Sequence, residues 1–375
     1  MSQISRTLLV SAAAMSLALT AAACGKAGSS SSSSGSSGSS ASGSVAAGTL
    51  SGKIGLLLPE NQTTRYEKFD RPFFEAKMKT LAPNVTVEYA NAAGSAATQA
   101  QQVTTMINAG VKVLVVDPVD AAAIKASVVA ASTKGIKVVT YDRLSQGPAD
   151  AYVSFDNIKV GQLQGQGLLN VLGSKATPTA KIVEIDGDSA DPNAADFKSG
   201  FQGVVKGKVD LAYDASGLWK SDVAAQKAAA AINQLGAKNI AGFYSANDGM
   251  AAGIATSMKN AGIPNLPLTG QDAQLDAIQR IMVGTQSFTI YKAYQPEADA
   301  AAQLTVDLMS GNSISSLATT TKTNGSGNKV PSDLLTPVLV KADNVKDTVV
   351  KDGLYTVSEI CTSAYAAGCK TNGLS

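Results

Sequence analysis

Histidine is absent from all 375 residues, and the chemistry excluded with it is broad. Without an imidazole there is no Ser-His-Asp or Cys-His activation of a nucleophile, no His proton shuttle and no imidazole metal ligand. Most hydrolase classes end there. Charge is sparse as well: Asp, Glu, Lys and Arg make up 16% of the chain and nearly cancel, to a formal +2. No long Lys/Arg run occurs in the part expected to fold, so the electrostatic footprint of a nucleic-acid partner is missing. Cysteine occurs only three times and tryptophan once, at Trp219. Cys361 and Cys369 stand close together near the C-terminus. Outside the cytosol such a pair reads as a disulfide closing a short loop, worth about 2–3 kcal/mol. Two thiolates with no histidine make only half a zinc site, so no metal is expected.

What is present starts with an address. Arg6 precedes LLVSAAAMSLALTAAAC, an apolar run too short and too Ala-rich for a comfortable ~20-residue membrane span and ending in small residues before Cys24. Residues 1–23 therefore read as a lipoprotein signal peptide, with Cys24 as the lipidated first residue of the mature chain; Ala21 stands where Leu is commoner in such signals. An ordinary secretory signal with an incidental cysteine is the alternative. The following stretch favours the lipid, because residues 28–44 are almost pure Ser and Gly. Such a segment buries nothing and behaves as a flexible tether, here taken over 24–50. The expected location is extracytoplasmic, in the periplasm or on the outer face of the cytoplasmic membrane.

A chain of this length with 45% hydrophobic residues has room for two domains. From residue 52, strand-like runs alternate with amphipathic helical windows. The strands are IGLLL (54–58), VTVEY (85–89), VKVLVV (111–116), IKVVTY (136–141), KIVEI (181–185), VDLAY (209–213), IAGFY (240–244), LPLTG (266–270) and SFTIY (287–291). The helices lie at 96–109, 120–134, 158–172, 194–205, 221–235, 247–261, 273–284 and 294–310. Alternation of this kind predicts parallel sheets with helices on both faces. The strands are too many for one comfortable sheet, and the split falls near YVSFDN, 152–157.

In open parallel sheets ligands bind beyond the carboxyl ends of the strands, and those ends are polar here. IGLLL leads to Glu60, Arg65, Tyr66 and Asp70, VKVLVV to Asp117-Pro118, and IKVVTY to Asp142 and Arg143. Later strands run into DGDSADPNAAD, DASGLWKSD, SANDG and QDAQ. A polyhydroxylated ligand wants this mixture, because each hydroxyl both donates and accepts, and carboxylates, amides and guanidinium groups answer both needs. An aromatic ring covers the C–H face of a pyranose. An Asp beside an Arg holds hydroxyls while staying neutral as a pair; a carboxylate ligand would call for surplus cations.

TRYEKFDR (64–71), NAGVKVLVVDP (108–118), GIKVVTYDR (135–143), VSFDNIKVGQLQ (153–164), SANDG (245–249), TGQDA (269–273), GTQSFTIYK (284–292), VPSDLLTP (330–337) and VVKDG (349–353) together carry a resemblance. Over about residues 52 to 358 the chain resembles the periplasmic sugar-binding proteins of ABC importers, most closely the D-xylose-binding branch. The resemblance implies a type I periplasmic-binding fold, α/β, with two doubly wound parallel-sheet lobes and a three-segment hinge. One lobe would comprise 51–155 plus 292–335 and the other 156–291 plus 336–375, with crossings near 155–156, 291–292 and 335–337. It also implies the sugar contacts: Arg65, Tyr66, Asp142, Arg143, Asn193, Trp219, Asn247, Asp272 and Lys292. Tyr66 stands where the family often has Trp, and the first loop is one residue longer, which bears on which sugar is taken.

Each residue has a plainer reading. Asp142–Arg143 could be a solvated strand end, Trp219 a packing aromatic, and Lys292 a snorkelling side chain. Asn247, Asp248 and Asp272 could cap the helices that follow; Asp248 is expected to be structural. Asp117 and Glu60 are left out of the ligand set, because Asp-Pro also starts turns. The function implied is a monomeric, lipid-anchored solute-binding protein that delivers a monosaccharide, D-xylose, to an ABC permease, without cofactor or catalysis. Another aldose such as glucose, galactose or arabinose, or a sensor role toward a membrane receptor, remains open. Asp142→Ala or Arg143→Ala is expected to abolish ligand stabilisation and leave the ligand-free melting temperature nearly unchanged.

Overall fold

Alternation within the first strands dictates their layering. In β1 (Ser51–Leu58), Ile54, Leu56 and Leu58 point to one face and Leu57 to the other. β3 (Val113–Val116) and β4 (Lys137–Tyr141) divide likewise: Val113, Val115, Val139 and Tyr141 oppose Leu114, Val116 and Val138. Strands apolar on both faces need cover on both. One face is covered by α1 (Arg71–Leu81), through Phe74 and Met78, and by α9 (Tyr294–Ser310), through Ala298, Ala301 and Leu304. The other is covered by α2 (Ala96–Asn108) and α3 (Lys125–Thr133), through Val103, Met106, Val128 and Ala131. With β2 (Asn84–Asn91), β5 (Ala151–Phe155), β10 (Thr320–Thr323) and β11 (Lys329–Leu335), these strands form a seven-stranded sheet in the order β10-β11-β5-β4-β3-β1-β2, parallel except for β10–β11. The computed structural model describes residues 49–263 and 265–374. The signal peptide over 1–23, Cys24 and most of the tether lie outside the described residues.

A second lobe is built around β6 (Lys181–Asp186), flanked in parallel by β7 (Asp210–Ser216) and β8 (Ile240–Ser245). Its helices α4 (Asn157–Leu172), α5 (Pro192–Val205), α6 (Ser221–Leu235) and α7 (Asp248–Asn260) share one core with Ile182, Ile185 and Phe243, while α8 (Leu275–Met282) packs through Ile278, Ile281 and Met282 into a separate cluster. α4 and α5 meet backbone to backbone. A Cβ on Gly161 would stand 2.0 Å from the Phe197 carbonyl oxygen, and one on Gly200 would stand 2.1 Å from that of Ile158. A short antiparallel pair, β9 (Thr289–Tyr291) with β12 (Val338–Val340), lies apart from both larger sheets. Cys361 and Cys369 are joined by a disulfide. The tail that carries it packs into one cluster with Ile281, Met282, Tyr291, Tyr294 and Val340. Among the described residues no helix is long and apolar enough to cross a membrane.

Four readings change. LPLTG is not a strand; Pro267 has no amide hydrogen to continue a ladder, and only a bridge between Leu268 and Phe243 forms. SFTIY contributes β9 to the antiparallel pair rather than to a parallel sheet. The YVSF and VPSDLL segments are paired strands of the first sheet, β5 beside β11. The stretch after Arg65 is not loop: Tyr66–Asp70 forms a widened π-type turn that runs into α1.

Candidate ligand-binding site

The carboxyl ends of the strands converge on one cavity. The first lobe supplies Thr63, Arg65 and Tyr66 beyond β1 and Asp142 and Arg143 beyond β4. The second supplies Asp191, Asn193 and Phe197 at the start of α5, Trp219 between β7 and α6, Asn247 ahead of α7, and Gln271 and Asp272 ahead of α8; Lys292 follows β9. All nine residues of the expected ligand set therefore line a single space. The space among these side chains that is free of atoms is about 280 Å³, open solvent included.

Asp142 is the hub. Its Oδ1 accepts from Arg65 Nη1 at 3.2 Å and lies 4.0 Å from Lys292 Nζ, while Oδ2 accepts from the Tyr66 hydroxyl at 3.0 Å. Its carbonyl oxygen accepts from Tyr152 Oη at 2.9 Å, Ser154 Oγ at 2.7 Å and Asn193 Nδ2 at 2.9 Å. Burial alone would push the Asp142 carboxyl up; Arg65, Lys292, Arg143 and the Tyr66 hydroxyl hold it down to about 2. Arg65 is itself gripped from behind. Asp70 accepts from its Nε at 2.8 Å and its Nη2 at 2.7 Å, Glu297 accepts from Nη2 at 2.5 Å, and the Tyr294 ring lies 4.7 Å away. Lys292 pairs with Asp272 Oδ1 at 3.1 Å.

Arg143 is contacted from both lobes. On its own side Nη2 donates to the Tyr66 hydroxyl at 3.1 Å and Nη1 to the Pro118 carbonyl at 3.3 Å, with Asp117 Oδ1 at 3.6 Å from Nε. From the other lobe Asp191 Oδ2 approaches Nε to 3.0 Å. Burial lifts Asp191 to about 6 against the pull of Arg143. The lining thus carries Arg65, Arg143 and Lys292 against Asp142, Asp191 and Asp272, and the charges balance.

Backbone strain gathers here. Asp142, Trp219 and Asp272 adopt φ of 54°, 58° and 95°, and Leu218 and Ala273, next to them, also have positive φ. Such conformations cost about 1–3 kcal/mol each and persist where surroundings over-determine them, commonly at functional sites. The Trp219 ring stands edge-on to Phe197 at 6.3 Å, and its buried Nε1 has no hydrogen-bond partner among the described residues. It lies so close to Gly187 that a Cβ there would come within 2.0 Å of it. Gly187→Ala should therefore displace the ring and weaken ligand binding about tenfold, roughly 1.4 kcal/mol. Since Trp219 is the only tryptophan, its emission reports the displacement directly; unchanged emission and affinity would refute the packing argument.

Several residues divide their roles between fold and cavity. Asn247 Oδ1 caps α7 by accepting from Met250 N at 2.9 Å, leaving the amide NH₂ for the cavity. Asp248 is structural as expected, accepting from Gln286 Nε2, Gln274 N and Thr289 Oγ1 at 2.7–3.0 Å. Asp272 caps nothing; Gln274 holds the N-cap of α8. Asn193 is partly committed, because its Oδ1 accepts from Asn157 Nδ2 at 2.8 Å. Glu60 holds its own loop by accepting from Thr63 N at 3.0 Å. Sequence reasoning does not single out Thr63, Asp191, Phe197 or Gln271. Asp191 and Gln271 sit inside motifs read for their neighbours, and Phe197 lies a helical turn beyond Asn193. Among the described residues no group of three or more His, Cys, Asp and Glu is placed to hold a metal ion.

Two α/β lobes, each offering its strand ends to a shared polar cavity, define a type I periplasmic-binding fold. The chain belongs to the periplasmic binding protein family: the family model described as a periplasmic binding protein domain matches residues 54–313. It is 36% identical over 327 residues to the D-xylose-binding periplasmic protein of Escherichia coli K12, spanning 84% of this chain and 95% of that one. The D-xylose-binding periplasmic protein of Haemophilus influenzae is 35% identical over 318 residues, spanning 82% and 92%. Among solved structures, an ABC transporter solute binding protein from Clostridium phytofermentans with bound β-D-glucose aligns with a TM-score of 0.75 at 26% identity, covering 82% of this chain and 100% of that one. The resemblance read from the motifs is borne out.

Proposed function

We propose that this protein is an extracytoplasmic, non-enzymatic sugar-binding component of an ABC importer, and that its ligand is a neutral aldopyranose, D-xylose first among them. The observation that carries the reading is the charge balance of the lining: three cations face three carboxylates in one buried space, so the site neither needs nor repels a net charge on its ligand. What it offers is alternating donors and acceptors with the Phe197 and Trp219 rings beside them, which suits hydroxyls around a C–H face. The identity with two D-xylose-binding proteins supports xylose; the structural likeness to a glucose-bound protein keeps glucose as the second candidate.

In this mechanism the sugar enters between parted lobes, 51–155 plus 292–335 on one side and 156–291 plus 336–375 on the other, and bridges them. Its hydrogen bonds to both lobes shift the population toward closure by bending at the three crossings. Closure excludes water, so each charged hydrogen bond strengthens and a hydroxyl of the wrong configuration leaves a buried group unpaired. The closed surface is what the permease reads. Lipidation at Cys24 and the Ser/Gly tether would keep the monomer near its transporter at raised effective concentration.

A thermal-shift panel of aldoses is the direct test. Xylose should raise the melting temperature, with ribose, galactose and arabinose giving little; a larger shift with glucose reassigns the sugar, and no shift with any aldose sinks the reading.

A further inference from the structure

Asp117 is an anomaly that sugar contact does not absorb. It follows β3, is 0% exposed, and neither carboxylate oxygen receives a hydrogen bond from the described residues. It does not line the cavity. A buried carboxylate left without donors is costly, and burial correspondingly pushes its pKa well above the usual range. The cation that pairs with it, Arg143, is turned partly elsewhere: Nε is 3.6 Å from Asp117 Oδ1 but 3.0 Å from Asp191 Oδ2, and it lacks well-aligned hydrogen-bond geometry to either.

The two carboxylates sit on opposite lobes. Asp117 belongs with the first sheet and Asp191 with the start of α5. The lobes touch through Asn193 Nδ2 to the Asp142 carbonyl at 2.9 Å, Ala121 N to the Ala190 carbonyl at 3.1 Å, and Lys322 to Asp196 at 3.0 Å. The other anchors of Arg143, the Tyr66 hydroxyl and the Pro118 carbonyl, are on the Asp117 side. When the lobes part, Arg143 loses Asp191 and keeps everything else. Its guanidinium then needs to settle by only a fraction of an ångström to pair fully with Asp117.

We propose that Asp117 is the open-state partner of Arg143: a positioning residue that receives the guanidinium when the lobes separate and so sets how much closure costs. Closure moves one cation from a carboxylate of its own lobe to a carboxylate of the other. The open form is held ready by Asp117, the closed form by Asp191 together with the sugar. Apparent affinity follows the fraction of protein able to close, so the two carboxylates act on it with opposite sign. This rests on the cleft being a ligand site that opens and closes.

The test is a pair of near-isosteric substitutions read by calorimetric titration with the sugar that stabilises the protein, and by small-angle X-ray scattering without ligand. Asp117→Asn should tighten binding about tenfold by removing the competitor for Arg143, and should lower the ligand-free radius of gyration toward the sugar-bound value. Asp191→Asn should weaken binding by a similar factor and leave the ligand-free protein no more compact. A purely structural Asp117 predicts weaker or unchanged binding in the first variant. That result, or a radius of gyration no smaller than that of the wild type, overturns the proposal. Asp117→Ala serves as a second variant, and if neither folds the carboxylate is a structural member and the proposal falls. Should no aldose bind the wild type, the sugar reading fails while scattering of the ligand-free variants still decides the carboxylate exchange.

Discussion

Asp142→Ala is expected to abolish sugar binding and also to lower the melting temperature of the ligand-free protein. The second half of this expectation departs from what the sequence suggests, where a strand-end Asp looks free of duties until a ligand arrives. In the folded protein Asp142 takes Arg65 and the Tyr66 hydroxyl and faces Lys292, all buried. Removing it takes one carboxylate from each of two buried cations, leaving Arg65 to Asp70 and Glu297 and Lys292 to Asp272, and takes the acceptor from the buried Tyr66 hydroxyl. Breaking a buried pair from one side costs about 3–5 kcal/mol, a fall on the order of 10 °C for a lobe of this size. Calorimetric unfolding of the ligand-free variant measures it. An unchanged melting temperature would show that the network is preserved for the ligand alone.

The second large effect is on pH, and its sign is unusual. Burial pushes the Glu297 carboxyl up to about 8. The physical reason is visible in the contacts, since Arg65 is one guanidinium faced by Asp70, Asp142 and Glu297, and one of the three is better neutral. Burial likewise lifts Asp248 to about 8 and Asp191 to about 6. A carboxyl whose folded pKa is raised binds its proton more tightly when folded. Its contribution is complete below the unfolded value near ~4 and is lost as pH rises through the folded value. Asp142 runs the other way, but its contribution disappears only as pH falls toward about 2. Between those limits stability should fall as pH rises. The melting temperature is expected to be higher at about pH 5 than at about pH 8.5, with Glu297→Gln narrowing the difference; a flat or rising profile would contradict the burial of a neutral carboxyl here.

How far the sequence reaches can be judged from particular residues. β1, β3, β4 and all eight helical windows are legible because apolar periodicity is a local property. The cavity is legible for a related reason: when strand after strand ends in Asp, Asn, Arg or Lys, sheet topology brings those ends together. β11 is not legible, because its identity depends on lying beside β5, with Ser332 opposite Tyr152, after the chain has left the first sheet and returned. Asp117 and Asp191 escape for the same reason. Each looks like punctuation, an Asp before a Pro; Asp191 does cap α5, accepting from Asn193 N at 2.8 Å, and only the position of Arg143 between the two shows what else they face.

The contact between α4 and α5 bears on how the proposed closure would be driven. α4 begins two residues after β5 ends, at one of the crossings, and α5 carries Asp191, Asn193 and Phe197 at its start. Where Gly161 and Gly200 meet there is no cushion of side chains to yield, so the two helices share the stiffness of one thick rod. In the proposed closure, a small rotation at the crossing would be carried by this pair to the far wall of the cavity. The lever arm of this molecule is made rigid by two residues that have no side chain at all.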